Sequence, residues 1–130
     1  MKNPFQPGDT QTYHTEVRLE DRAAFHGKAV HNVYSTFAVA RDAEWTCRLF
    51  VLAMKEAGEE GVGVEVTVQH HAPAKVGEQV TFVATLETVE GRTVRCRYTA
   101  HVGDRLVATG TQIQKVLDKA RFDASLKALA

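Results

Sequence analysis

The chain has 130 residues, a length suited to one domain with one core spanning residues 1–130. Sixteen basic and sixteen acidic side chains cancel, and apolar residues make up 44%. This balance gives no electrostatic reason to expect nucleic acid or an anionic membrane as a partner. Cys47 and Cys96 stand far apart in no CxxC pattern and read as small core residues rather than a bridge. Residues 1–10 are polar, with Pro4, Pro7 and Gly8, and lack the apolar run of a signal peptide. The longest apolar stretch, residues 49–54, is far too short to span a bilayer. The expectation is a soluble, cytoplasmic protein.

In chain order, residues 10–19 predict a first strand, with Tyr13, Thr15, Val17 and Leu19 alternating against His14, Glu16 and Arg18. A long loop is expected over residues 20–35, and long loops in compact domains are often functional. Residues 36–57 predict the main helix. Ser35 or Thr36 is placed to cap its start, and Gly58 to stop it. Phe37, Ala40, Ala43, Cys47, Phe50, Val51 and Met54 form one broad apolar face. Val39, Trp45, Leu49, Leu52 and Ala53 extend it, as in a buried helix.

Period-two alternation comes next. Val62, Val64, Val66 and Val68 define one strand, Val80, Phe82, Ala84 and Leu86 a second, and Val94, Cys96, Tyr98, Ala100 and Val102 a third. Residues 106–117 form a less regular fourth. Glu90-Gly91 and Gly103-Asp104 suit tight hairpin turns, and Pro73 and Gly77 break the chain before the second of these strands. Residues 118–130 read as a short helix or partly ordered tail. An antiparallel sheet with one apolar face must cover something, and the apolar helix is the only large candidate. The expected class is therefore α+β, a curved antiparallel sheet of about five strands wrapped around a central helix. That is the hot-dog arrangement.

Three residues could carry chemistry. Glu44 lies mid-helix among apolar neighbours, where a carboxylate is costly unless paired or neutral. Apolar enclosure is also what suits a carboxylate to general-base work. The competing reading puts Glu44 on a solvated stripe, in ion pairs with Arg41 at i−3 and Arg48 at i+4. His70 continues the register of the four valines and is expected to face the helix, with His71 on the other side. Adjacent strand residues pointing oppositely make a poor metal site, and none is expected. Thr36 has helix capping as its simplest role. It stands eight residues before Glu44, about 12 Å along a continuous helix. One site can use both only if a substrate spans that gap or Thr36 turns back from a loop. There is no GxSxG elbow and no Gly-rich phosphate loop. Asp21 and His26 have the D-x4-H spacing of hot-dog hydratases, without the Asn-Pro those enzymes usually carry between the two.

The order of these signals fits a known pattern. STFAVARDAEWTC (residues 35–47), then GVEVTVQHHAPAKVG (63–77) and EGRTVRCRYTAHVGDRLVATGTQIQKVLDKARF (90–122), resemble the fluoroacetyl-CoA thioesterase family. The resemblance implies a hot-dog fold and hydrolysis of an acyl-CoA thioester. It assigns catalysis to Thr36, Glu44 and His70, and places Gly63 near the substrate carbonyl. It also implies a homodimer, or a dimer of dimers, with sites at the subunit interface. No cofactor is implied, since CoA enters as part of the substrate. For the CoA phosphates, Lys75, Arg92 and Arg95 are candidates without a motif.

Two departures from the family pattern stand out. The family's last strand usually reads Gly-Thr-His-x-Arg, where this chain has Gly110-Thr111-Gln112-Ile113-Gln114. The family arginine belongs to the acyl pocket of the fluoroacetyl-specific member. Gln114, the substrate-binding candidate here, therefore weakens the expectation of fluoroacetyl preference. His71 replaces a more usual apolar or small residue. The alternatives are a hot-dog enoyl-CoA hydratase or dehydratase using Asp21 and His26, and a non-catalytic acyl-CoA-binding protein.

Overall fold

The computed structural model describes residues 1–129; Ala130, the end of the expected tail, lies outside the described residues. The elements are β1 (Thr10–Glu16), a 3₁₀ turn (Leu19–Asp21), β2 (Arg22–Phe25), β3 (Lys28–Tyr34), α1 (Thr36–Met54), β4 (Glu59–Val66), β5 (Gln69–His70), β6 (Gln79–Glu90), β7 (Thr93–Val102), β8 (Arg105–Asp118) and α2 (Lys119–Lys127). The main sheet is antiparallel in the order β1-β6-β7-β8-β4, with β5 pairing β8 beyond the end of β4. It curls around α1, which packs against β1, β4, β6, β7 and β8. This is the hot-dog fold.

The core follows the alternation in the sequence. Val80, Phe82, Ala84 and Leu86 of β6 are buried, as are Val94, Cys96, Tyr98 and Ala100 of β7. From α1 they meet Val39, Ala43, Cys47, Phe50, Val51 and Met54. Cys47 and Cys96 are free thiols in this core, and a hydrogen bond to Cys96 pushes the Cys47 thiol up, reinforced by its burial. The turns fall at Gly91-Arg92 and Gly103-Asp104, with Gly91 at φ +60° and Gly103 at φ +54°. Among the described residues no helix is long and apolar enough to cross a membrane.

The structure corrects the sequence reading in four places. First, β1 ends at Glu16, and residues 20–35 are not a loop. They fold as the 3₁₀ turn and the β2–β3 hairpin, closed by His26 (φ +53°) and Gly27 (φ +79°). Two successive positive φ values match the twist of paired strands, and His-Gly fills the turn usually made by Asn-Gly.

Second, α1 stops at Met54 rather than residue 57, because Lys55 is already extended.

Third, Phe37 and Ala40 are not on the buried face. Phe37 is 72% exposed, and it shares an open stripe with Ala40, Arg41, Glu44, Trp45 and Arg48.

Fourth, Val62 and Val64 do not face the helix. Gly61 and Gly63 do, opposite the buried Val116 and Gln114, and the register then slips between Gly63 and Glu65. The extra residue at this bulge, Val64, is 53% exposed. Two glycines let α1 approach β4 more closely than any side chain would permit.

Candidate active site

The bulge that displaces the valines restores the register for the residues beyond it. His70 pairs opposite the buried Ala108 and so faces α1, while His71 turns outward to hydrogen-bond Thr109 Oγ1 at 2.7 Å. At the helix start, Ser35 is the cap: its Oγ accepts from the Ala38 N–H at 3.0 Å. This leaves the Thr36 hydroxyl free of the capping role, and it lies 3.3 Å from His70 Nδ1. Burial pushes the His70 imidazole below its ordinary range. The charge of His71 acts in the same direction, against a backbone contact at Ala72. A neutral ring can accept the Thr36 hydroxyl proton at Nδ1 and keep Nε2–H as a donor.

Glu44 occurs two turns further along the same stripe. Its ion-pair reading does not hold. Arg41 instead pairs with Asp21 and Asp42, both at 3.0 Å, and Arg48 with Glu60 at 2.7 Å and the Gly61 carbonyl at 2.9 Å. The carboxylate of Glu44 lies against the backbone of Gly63, where a Cβ would stand 1.9 Å from Oε1. Gln112 Nε2 donates to the same oxygen at 3.4 Å. Around it, Arg41, Glu44, Trp45, Arg48, Gly63 and Gln114 line a pocket of about 300 Å³. A smaller hollow of about 200 Å³ lies toward the helix start, between Thr36, Phe37 and Ala40.

Thr36 and His70 therefore meet directly, whereas Glu44, Gly63 and Gln114 form a second cluster. Thr36 opens α1 rather than turning back from a loop, so the two clusters stay about 12 Å apart along the helix axis, eight residues at 1.5 Å each. Sequence reasoning did not assign Gln112 to the site. Its signal was available, since it shares the inward face of β8 with Gln114.

The other candidates separate. Asp21 is fully buried, bound by Arg18 and Arg41, and its carbonyl accepts from the Ser35 N–H. Burial alone would raise its carboxyl, but the Arg18 backbone N–H and the Arg41 guanidinium outweigh it and hold the group below its ordinary range. His26 is exposed at the hairpin tip, four strand residues or about 13 Å of β2 away. The hydratase pair is thus not one site; Asp21 is an anchor. Arg41 extends that anchor to Asp42, which accepts from the buried Tyr34 hydroxyl. The three basic candidates for CoA phosphates do not cluster either. Lys75 lies beside Val33 near the start of β6, whereas Arg92 follows the end of β6 and is paired with Glu59 at 2.6 Å.

Residues 17–120 match the family model described as FlK, fluoroacetyl-CoA-specific thioesterase. The chain is 32% identical to a fluoroacetyl-CoA thioesterase of Streptantibioticus cattleyicolor over 95 residues, 73% of this chain and 68% of that protein. Among solved structures, a thioesterase superfamily member of Thermus thermophilus superposes with a TM-score of 0.91 at 32% identity, covering 95% of this chain and 92% of the other. The fluoroacetyl-CoA thioesterase FlK superposes with a TM-score of 0.88 at 26% identity, covering 97% and 98%. The chain belongs to the fluoroacetyl-CoA-specific thioesterase family and is a hot-dog thioester hydrolase.

Proposed function

We propose that this enzyme hydrolyses a small or medium acyl-CoA to the free acid and CoA, with Glu44 as base or nucleophile and Thr36 and His70 assisting. The observation that carries the assignment is the Thr36–His70 hydrogen bond on the same helix stripe as the Gly63-backed Glu44 carboxylate. The acyl-thioester lies along this stripe. Its carbonyl carbon faces Glu44, and its CoA arm runs past Thr36 and His70. Glu44 either takes a proton from an attacking water or adds to the carbonyl itself. The carbon–sulfur bond then breaks and the thiolate departs; in the covalent route water hydrolyses the resulting Glu44 anhydride to release the acid, while His70 Nε2–H holds the CoA arm. Thr36 holds the imidazole at Nδ1. Backbone N–H groups at the Gly63 bulge stabilise the oxyanion.

A small acyl group fits the pocket's size and its polar lining of Glu44, Gln114, Arg41 and Arg48. Gln114 in place of the family arginine supports a substrate other than fluoroacetyl-CoA.

The working unit in this proposal is a homodimer. β4 is an edge strand of the sheet, and it carries exposed Val64 and Val66. Exposed Phe37 stacks edge-on with exposed Phe25 near the start of α1. Two buried free thiols agree with a reducing, cytoplasmic setting.

A thiol-release screen across acyl chain lengths and aryl esters, run beside sedimentation, tests the reading. Turnover of short acyl-CoA by a dimer is expected. Saturable binding without thiol release from any ester would refute it.

A further inference from the structure

Two glutamines stand side by side on the inward face of β8, and both are fully buried, Gln112 at 0% and Gln114 at 1% exposure. Buried amides are costly unless every polar atom is paired, and apolar residues at these positions would pack the core without that cost. The bonds the two amides make run in one direction. Gln114 Nε2 donates to Gln112 Oε1 at 2.9 Å, and Gln112 Nε2 donates to Glu44 Oε1 at 3.4 Å. The polarity is dictated by the carboxylate. An ionised Glu44 can only accept, so the amide facing it must present its nitrogen. The Gln112 oxygen then faces the other way and needs a donor, which only the Gln114 nitrogen supplies among its described contacts.

We infer that Gln112 is a positioning residue for Glu44, and that Gln114 acts through Gln112 by fixing the orientation of its amide. The inference rests on Glu44 being the base or nucleophile. It gives Gln114 a second role beside lining the acyl pocket. It also accounts for both departures at the end of the family's Gly-Thr-His-x-Arg stretch: the two glutamines are one device, and neither works alone.

Replacing both partners of a buried polar pair by apolar side chains of similar size is close to neutral for folding. Gln112→Met/Gln114→Met should therefore melt at or above the wild-type temperature while losing activity. Misplacement of a reacting group by an ångström-scale shift costs on the order of ten- to a hundred-fold in rate, so kcat should fall by about that factor with KM little changed. Gln114→Met should lower kcat alone, yet add nothing in the Gln112→Met background.

The experiment measures kcat, KM and melting for the two single variants, the double variant and Glu44→Gln. The expected result is a stable double variant with lowered kcat and a KM close to wild type. If Glu44→Gln is inactive while the double variant keeps wild-type kcat, the relay is overturned and the role of Glu44 stands. If kcat falls only together with a lowered melting temperature, the amides are structural and the relay is likewise overturned. If Glu44→Gln keeps wild-type kcat, the reading beneath the relay fails and takes the relay with it. Gln112→Glu keeps the side-chain shape and is the second variant. An acceptor then faces the Glu44 carboxylate where a donor stood, so kcat should fall further than in Gln112→Met, and a wild-type kcat would again overturn the inference.

Discussion

Replacing Gly63 by alanine should disable the enzyme while leaving it folded. An added Cβ would stand 1.9 Å from Glu44 Oε1 and 3.1 Å from its carboxyl carbon, whereas ordinary contact begins near 3.4 Å. The carboxylate must then retreat by about 1.5 Å, the difference between 3.4 Å and 1.9 Å. Its bond from Gln112, already 3.4 Å long, cannot survive that movement. A displacement of that size predicts a loss of about a hundred-fold in kcat, or roughly 2.7 kcal/mol of barrier. Stability should change by less than about 1 kcal/mol, because the group that moves is the end of a flexible side chain. Gly61→Ala is the contrast. Its Cβ would meet the core methyl Val51 Cγ1 at 2.4 Å, so it should cost about 1–3 kcal/mol of folding stability with kcat largely retained. Thiol release from a short acyl-CoA and thermal melting read both effects. A folded Gly63→Ala enzyme with wild-type kcat would refute the placement of Glu44 against β4.

Other expectations are independent of that one. Ser35→Ala should cost about 1 kcal/mol in denaturant unfolding and leave kcat near wild type, since Ser35 caps α1. Thr36→Val should do the reverse; equal effects of the two on kcat would contradict their separation. The His70 ring is held below its ordinary value, so the fold binds fewer protons there than the unfolded chain. Stability from this group is therefore complete above about pH 6.5 and is lost as pH falls toward the folded value, with activity falling as the ring charges. His71→Gln should raise the NMR titration midpoint of His70, and an unmoved midpoint would refute the electrostatic contribution of His71. Asp21→Asn should cost about 1–3 kcal/mol in urea unfolding while hydrolysis stays within a few-fold. Because the Asp21 carboxyl is held below its ordinary value, its contribution is present above about pH 4 and lost as pH falls further. Loss of hydrolysis in a stably folded Asp21→Asn enzyme would return this residue to the active site.

The strands β6 and β7 were legible because period two is a geometric property of the pleat, and their buried residues are those the alternation picks out. The edge strand β4 was not. A valine ladder normally marks the buried face, but here α1 lies too close for side chains, so glycines occupy the inner positions and a bulge resets the register. That reset is why His70 faces inward although Val62 does not. The β2–β3 hairpin was missed because its turn is His-Gly and its strands expose most of their residues, which erases the hydrophobic period. At the site, the relation of Thr36 to His70 depends on Ser35 taking the cap, a choice that the adjacent Ser-Thr pair left open. The partners of Glu44 were hidden for a different reason. Local helix spacing pointed to Arg41 and Arg48, but buried or semi-buried acids elsewhere, Asp21, Asp42 and Glu60, hold both arginines. The actual neighbour, Gln112, is 68 residues away in sequence.

The central claim is that Glu44 performs the chemistry. Glu44→Gln retains the size of the side chain and its place against Gly63 while removing its basicity and nucleophilicity. The decisive measurement is single-turnover thiol release by this variant on the best short acyl-CoA, with melting and substrate binding recorded on the same preparation. A folded variant that binds substrate and loses at least about a thousand-fold in rate is predicted. A folded variant that releases CoA at the wild-type rate would contradict the account.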